Sequence, residues 1–179
     1  MRNLLTIGLI LGAAGILLFL VGTLLPAEWT VERSVLVAAP PSHVYPLIAD
    51  FKNGWSLWNP WQEPSMKIAY SGPSEGVGAV QTWEGGDTNG GRIEIVRAIP
   101  LTEVAFALKF GSFPIDGRID LQAEGTRTRV TWKDFGRIEG LPIYRFMRFM
   151  VGRFVGTPME KGLAKIKDLA ESRYRKGSG

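Results

Sequence analysis

The sequence predicts an α+β protein in which a curved antiparallel sheet of six to seven strands surrounds a long C-terminal helix, preceded by one transmembrane helix. Three observations carry this prediction. An uncharged apolar stretch lies near the amino terminus, segments with alternating apolar and polar residues fill the middle, and the pattern becomes helical after Gly140. A sheet with one apolar face can bury that face together with a single long helix only if it curls around the helix.

The first element is the apolar stretch Leu4–Leu25, whose twenty-two residues carry no charge. At about 1.5 Å per residue such a helix is about 33 Å long, which is enough to cross a bilayer core. A cleaved signal peptide is the alternative, but the stretch is long for one, only Arg2 precedes it, and no Ala-x-Ala site follows. We therefore predict a membrane anchor over residues 1–27 and a separate domain over residues 28–179.

Flanking charges predict the orientation of this single-pass anchor. Arg2 precedes the stretch and Glu28 and Glu32 follow it, so the positive-inside rule places the amino terminus in the cytoplasm and the domain on the extracytoplasmic side. Within the stretch, Gly8 and Gly12 have the GxxxG spacing that lets two helices approach closely. One interpretation is a homodimer through these glycines; the other is that glycine is common in membrane helices.

Strand-like segments follow the anchor. The first runs from Trp29 to Val37, with apolar residues at alternate positions. Two prolines and Ser42 then begin a short predicted helix, His43–Asp50, and three tryptophans follow it at a spacing of three residues. The later predicted strands are 66–71, 79–84, 92–99, 103–110, 115–123 and 128–134. Their alternation predicts a sheet with one covered face and one wet face.

Beyond Gly140 the apolar residues recur with a helical period. One arc of a first predicted helix carries Ile143, Phe146, Met147, Met150, Val151 and Phe154, and arginines occupy the other side. Thr157 is predicted as the N-cap of a second helix that continues to about Tyr174. Residues 137–179 hold 10 basic and 4 acidic side chains, a net charge of +6. This charge suits either anionic lipid headgroups beside the anchor or a solvated helix face.

Composition excludes several classes of chemistry. The 179 residues include no cysteine and one histidine, His43. Disulfides, thiolate metal sites and multi-histidine metal sites are therefore excluded, and no metal-binding spacing occurs elsewhere. The glycines at 85, 86, 90 and 91 lack the spacing of a phosphate-binding loop. A net charge of +4 is too small to indicate nucleic acid. We predict no metal, no cofactor and no nucleic-acid partner.

Several short motifs occur in the order typical of one known family. They are Ala39-Pro40-Pro41-Ser42-His43-Val44-Tyr45, Asp50-Phe51-Lys52-Asn53, Trp58-Asn59-Pro60-Trp61, Tyr70-Ser71-Gly72, Gly76-Val77-Gly78-Ala79, Thr82-Trp83-Glu84-Gly85, the strand Thr126–Trp132 and the helical Glu160–Lys167. With these motifs the chain resembles the SRPBCC superfamily, the START-like or helix-grip fold. Within it, the chain is most similar to the polyketide cyclase/dehydrase-like branch with an N-terminal membrane anchor. The resemblance extends from about Trp29 to Glu171.

The resemblance implies a cavity between the curved sheet and the C-terminal helix. Members of the family use this cavity for lipids, sterols and polyketides; some close aromatic polyketide rings, and others bind partner proteins. We predict that this chain binds a hydrophobic small molecule, lipid-, isoprenoid- or polyketide-like, at the membrane. The alternatives are a polyketide cyclase or dehydratase, and a protein-interaction module with a filled core.

Large apolar side chains are the candidates for ligand binding. Tryptophans would stack on an apolar ligand near the cavity mouth, and the apolar sheet face would line the interior. The predicted ligand-binding residues are Trp58, Trp61, Trp83, Phe106, Leu108, Phe110, Leu121 and Trp132. A solid core is the other interpretation, because a core and an apolar pocket use the same side chains.

Polar candidates for catalysis are few. Glu84 and Asp134 end or follow apolar strand segments, so either could point inward. A buried carboxyl group generally has a raised pKa and can act as an acid or base. In the cyclase alternative, Glu84 or Asp134 is the base and Tyr70 the proton donor. The competing interpretation is that each carboxylate faces solvent at a strand end.

Overall fold

The computed structural model describes residues 2–86, 90–111 and 113–177. Residues 87–89, within the glycine-rich loop, therefore lie outside the description. In chain order the elements are α1 (Arg2–Leu24), β1 (Glu28–Val37), α2 (Pro41–Ala49), β2 (Lys67–Ser71), β3 (Val80–Glu84), β4 (Gly91–Ile99), β5 (Glu103–Phe110), β6 (Phe113–Glu124), β7 (Arg127–Arg137), α3 (Arg148–Phe154) and α4 (Gly156–Gly177). Short 3-10 turns occupy Trp55–Leu57 and Pro142–Met147.

The seven strands form one antiparallel sheet in the order β1-β7-β6-β5-β4-β3-β2. The first strand of the chain thus pairs with the last, and β1 and β2 are the two edges. A register shift between Ile95 and Arg97 in β4 marks a bulge, which bends a strand and increases its twist. The predicted α+β architecture, a curved antiparallel sheet with a long C-terminal helix, is confirmed.

The inner face of the sheet packs against α2 and α4. Every second residue of β7 is buried on this face, from Thr128 through Val130 and Trp132 to Asp134. Helix α4 contributes an apolar stripe at helical spacing, consisting of Met159, Leu163, Ile166 and Ala170. The helix lies mainly over β1 and α2. The middle and the far end of the sheet are covered by the segment that follows α2.

That covering segment brings tryptophans together. We call Trp55, Trp58, Trp61 and Trp132 the tryptophan cluster. Ring centroids are 4.4 Å apart for Trp55–Trp58, 5.3 Å for Trp58–Trp132 and 5.6 Å for Trp61–Trp132, the last two edge to face. Trp58 is fully buried, and its Nε1 donates a hydrogen bond of 2.7 Å to the Leu47 carbonyl of α2. The buried polar edge is thereby satisfied, and the cluster joins α2, the sheet and α4.

The helices differ from the sequence predictions in three places. Helix α2 begins at Pro41, because a proline needs no partner for its missing N–H in the first turn. Thr157 lies inside α4 rather than at an N-cap, since the Met159 N–H already bonds to the Val155 carbonyl at 3.1 Å. The predicted helix over 143–154 is divided into a 3-10 turn and α3, and neither part contains a buried residue.

Close packing of α4 on the cluster predicts that Gly162 cannot be enlarged. A Cβ there would lie 3.0 Å from the Trp132 ring and 3.3 Å from both Pro60 and Trp58. We expect Gly162→Val to lower the free energy of unfolding by about 1–3 kcal/mol, the usual cost of overpacking. The matched control is Gly152→Val in α3, where nothing lies within 4 Å of the added atom. Thermal unfolding of both variants checks the prediction, and equal stabilities would contradict it.

Candidate functional site

A cavity opens between the inner face of the sheet and the segment that follows α2. Its walls on the sheet come from β3, β4, β5 and β7, and its cover comes from residues 55–66. Nine of its twelve lining residues are apolar or aromatic, and three are amides; the full set is Trp55, Asn59, Trp61, Gln62, Met66, Gln81, Trp83, Ile93, Phe106, Leu108, Phe110 and Trp132. Such a lining suits an apolar ligand held by a few polar contacts.

Two cross-strand rows build the sheet wall of the cavity. In the first row, Gln81 of β3 pairs with Ile93 of β4, which pairs with Leu108 of β5. In the second row, the Trp83 ring lies across Gly91, where a Cβ would be only 2.2 Å from the ring. That ring meets Phe110 edge to face at 5.5 Å. The absent side chain of Gly91 therefore gives Trp83 its place in the wall.

The cavity is narrow. It holds about 470 Å³ of unfilled space with its open mouth included, but the centre of a water molecule can move through only about 30 Å³. Since a water needs roughly 10–15 Å³ of such space, the cavity as it stands holds about two waters. A larger ligand requires part of the cover to move. Trp61 and Met66, which are only partly buried, are the side chains placed to do so.

The position of the cavity differs from the one that the resemblance implied. No residue of α4 is among the described lining residues. The space beneath α4 is filled by Trp58, Trp132 and the apolar stripe of the helix, and this cavity lies farther along the sheet. Two predicted ligand-binding residues lie outside the lining: Trp58 is buried in the tryptophan cluster, and Leu121 is buried in the core.

The structure brings the other six predicted ligand-binding residues into one lining: Trp61, Trp83, Phe106, Leu108, Phe110 and Trp132. The predicted ligand-binding residues did not include Trp55, Asn59, Gln62, Met66, Gln81 or Ile93, which also line the cavity. Gln81 and Ile93 had a usable signal, because each lies two residues from an inward-facing residue of its own strand, Trp83 and Ile95. The cover residues had none, because an irregular segment has no period from which a direction can be read.

Asp134 is the most perturbed acid described. It is 2% exposed, and the Trp132 Nε1 donates a hydrogen bond of 2.8 Å to its Oδ1. Burial raises the pKa of Asp134 to about 7, and the hydrogen bond from Trp132 lowers it by less. The carboxyl lies beside Gly117, where a Cβ would be 2.5 Å from Oδ1. Asp134 therefore supports the Trp132 ring, which in turn lines the cavity.

The three predicted catalytic residues are not brought together. Tyr70 is on the edge strand β2 and is 39% exposed, and Glu84 is exposed at the end of β3. Asp134 is on β7, with three strands between it and β3 in the sheet. Burial and, to a lesser extent, the Asp50 carboxylate raise the pKa of Tyr70. Among the described residues, none of the three lines the cavity, and no group of three acidic or histidine side chains is placed to hold a metal ion.

Comparisons with known proteins agree with this fold. A family model described as polyketide cyclase / dehydrase and lipid transport matches residues 28–171. No curated protein matches the sequence. Three solved structures illustrate the likeness of fold. The Zhui aromatase/cyclase from Streptomyces sp. R1128 is 18% identical with a TM-score of 0.62, and the match covers 85% of this chain and 99% of that one.

The second structure, norcoclaurine synthase from Thalictrum, is 10% identical with a TM-score of 0.63, over 83% of this chain and 97% of that one. The third is the Aha1 dimer from Colwellia psychrerythraea, 18% identical with a TM-score of 0.58, over 79% of this chain and 96% of that one. At these identities the likeness is one of fold.

The buried carboxyl of Asp134 predicts a loss of stability as pH rises. Its pKa is about 7 in the folded chain, against an ordinary value of 3.8. Between these values the folded state keeps a proton that the unfolded chain has lost, so stability falls from about pH 4 to pH 7 and then levels off. At 1.36 kcal/mol per pKa unit the fall is about 4 kcal/mol. We expect Asp134→Asn to remove this part of the pH profile of unfolding, and an unchanged profile would contradict the assignment.

Proposed function

The chain belongs to the polyketide cyclase / dehydrase and lipid transport family, and from this premise we propose that it binds a hydrophobic small molecule beside a membrane. We assign binding to residues 28–179 and membrane anchoring to residues 1–27. The observation that carries the proposal is the cavity, in which nine of twelve lining residues are apolar or aromatic. A lipid-, isoprenoid- or polyketide-like molecule fits such a lining, because its burial there removes apolar surface from water.

Binding without turnover is supported by the positions of the acids. A general acid or base must reach the reacting atom within hydrogen-bond distance, directly or through one water. Asp134 has a suitable pKa, but the Trp132 ring to which it bonds is the group that lines the cavity. Tyr70 and Glu84 lie beside the cavity, on β2 and at the end of β3, but both are exposed and neither is among the described lining residues. The cyclase alternative therefore has a candidate acid but no described contact between it and the ligand space.

Membrane anchoring is supported by the surface of α1. Thr6–Leu24 is the one helix in the described chain that is long and apolar enough to cross a bilayer, and a signal sequence passes the same test. Its leucines and isoleucines from Ile7 to Leu24 are exposed; Leu9 is 74% and Leu24 84% exposed. Apolar surface of this extent is unfavourable in water and is satisfied by lipid.

Contacts between α1 and the domain favour a retained anchor over a cleaved leader. Arg145 donates hydrogen bonds from one guanidinium nitrogen to the carbonyls of Thr23 and Leu25, at 2.9 and 3.0 Å. These carbonyls lie at the end of α1, where a helix has no partners of its own and favours a cation. Gly22 allows the approach, since a Cβ there would be 2.5 Å from the Pro142 carbonyl oxygen.

The segment that holds the end of α1 is itself apolar and exposed. We call this segment, residues 141–154, the apolar strap; its large exposed side chains are Leu141, Ile143, Tyr144, Met147, Phe149, Met150 and Phe154. Arg148 and Arg153 lie among them. An exposed apolar surface with interspersed arginines, continuous with a membrane span, suits the boundary between headgroups and acyl chains. We therefore include the strap in the membrane contact.

Two narrower predictions about the anchor stay predictions. The homodimer through Gly8 and Gly12 requires free space beside the helix, and nothing in the described chain lies within 4 Å of a Cβ built at either glycine. A second copy of the helix would occupy that space. The extracytoplasmic orientation of the domain rests on Arg2 before the span and on Glu28 and Glu32 after it.

Filling the cavity should weaken ligand binding. Leu108→Trp places an indole where only about two waters fit, so we expect it to weaken binding of 2-naphthol, a small aromatic polyketide mimic, by about tenfold or more. The measurement is a titration of the full chain in nanodiscs, followed by the ¹³C-methyl signal of Met66 in the cavity lining. The control is Val96→Trp, which adds an indole at an exposed position of β4. Equal affinities in the two variants would place the ligand elsewhere.

The apolar strap should lie within the bilayer boundary. Because the chain has no cysteine, Phe149→Cys introduces a single site for a spin label. In nanodiscs that contain anionic lipid, we expect this label to collide more with oxygen, which concentrates in lipid, than with a water-soluble nickel chelate. Val96→Cys, on the exposed side of the sheet, should show the opposite preference. A water-like response at both sites would remove the strap from the membrane contact.

A further inference from the structure

Gln81 is a buried amide within an otherwise apolar wall. It is 3% exposed and lines the cavity. Its Oε1 is buried and, among the described residues, has no hydrogen-bond partner. On one side its cross-strand neighbour Ile93 and the next residue in that row, Leu108, have aliphatic side chains without a donor. On the other side its neighbour is Tyr70 of β2, which is 39% exposed and does not bond to Oε1.

A buried carbonyl without a hydrogen-bond partner destabilises the folded state, so the presence of one in the cavity wall calls for an explanation. Leaving such a group without a partner forfeits its hydration with nothing in return, and buried polar groups in folded proteins are nearly always paired. The other lining amides are not equivalent to it. Asn59 accepts a hydrogen bond from the Trp61 N–H through Oδ1, at 3.1 Å, and Gln62 is exposed at the rim.

We propose that Gln81 selects for ligands that carry a hydrogen-bond donor, such as a hydroxyl or phenol group, on an otherwise apolar body. A ligand that fills the cavity also removes water from Oε1, so the ligand must supply the donor itself or leave the carbonyl unpaired. The ligand class is thus narrowed from any hydrophobic molecule to alcohols, phenols and similar donors. This inference rests on the proposed function, since it concerns the same cavity.

The test compares three probes of nearly equal size. The probe 2-naphthol has a donor, 2-fluoronaphthalene has none, and 2-naphthaldehyde has only an acceptor. Each is titrated into the full chain in nanodiscs, with empty nanodiscs as blanks for partition into lipid, and binding is read from the Met66 methyl signal. We expect 2-naphthol to bind about tenfold more tightly than 2-fluoronaphthalene, which corresponds to one hydrogen bond made or lost.

Variants assign that preference to Gln81. In Gln81→Leu the ratio of the two affinities should fall to about one, and the unliganded protein should unfold at a higher temperature because the unpaired carbonyl is gone. Gln81→Met is a second variant, and its unbranched side chain follows the shape of Gln. With two variants, the test still stands if one of them fails to fold. Gln122→Leu makes the same chemical change at an exposed position of β6 and should keep the preference.

Each contrary outcome has its own meaning. If the wild-type protein binds 2-naphthol and 2-fluoronaphthalene equally, or if Gln81→Leu keeps the preference, the inference is overturned while the proposed function stands. A preference for 2-naphthaldehyde also overturns it, because the amide would then present its N–H to the ligand. If no probe shifts the Met66 signal, the cavity does not take such ligands, and the proposed function fails together with the inference.

Discussion

The packing of the tryptophan cluster against α4 is the constraint on which the rest of the structure depends. Trp58 is held in place by its hydrogen bond to Leu47, and the Trp132 ring stands edge-on to it at 5.3 Å. Gly162 lets the helix approach both rings. Because these side chains fill the space beneath the helix, the cavity on the inner face of the sheet is displaced toward β3, β4 and β5. The place of the cavity, and the class of residues that line it, follow from that displacement.

A second consequence concerns the buried acid. Asp134 would be an isolated charge in an apolar core, and burial raises its pKa to about 7, so the neutral form is favoured below that pH. Its Oδ1 accepts the Trp132 N–H, so the carboxyl fixes the orientation of a ring that forms part of the cavity wall. The burial that makes Asp134 a candidate catalytic acid is therefore also what lets its carboxyl hold the Trp132 ring in place. The deciding observation is contact, since Trp132 lines the cavity and Asp134 does not.

Much of the fold was predictable because strands have a period. Alternation in β5 and β7 identified the inner face and, with it, four residues of the lining: Phe106, Leu108, Phe110 and Trp132. The cover could not be predicted in this way, since residues 55–66 are irregular and only packing decides that Trp58 points into the core while Trp61 reaches the cavity. The strap shows the same limit: a helical period identified an apolar arc in residues 143–154, but not that this arc stays exposed.

The anchor, the strap and the cavity all favour a ligand with an apolar body and one hydrogen-bond donor. The strap holds the end of α1 through Arg145, so an anchored α1, as proposed, would keep the domain at the boundary of the bilayer rather than at the end of a free tether. A molecule with an apolar body and one hydrogen-bond donor collects at this same boundary, because its body partitions into the acyl chains and its donor remains hydrated. The carbonyl of Gln81 offers that donor a replacement for water inside the cavity. Such a ligand would then move from lipid to protein without losing either its apolar surroundings or a partner for its donor. A purely apolar pocket would leave the donor unpaired.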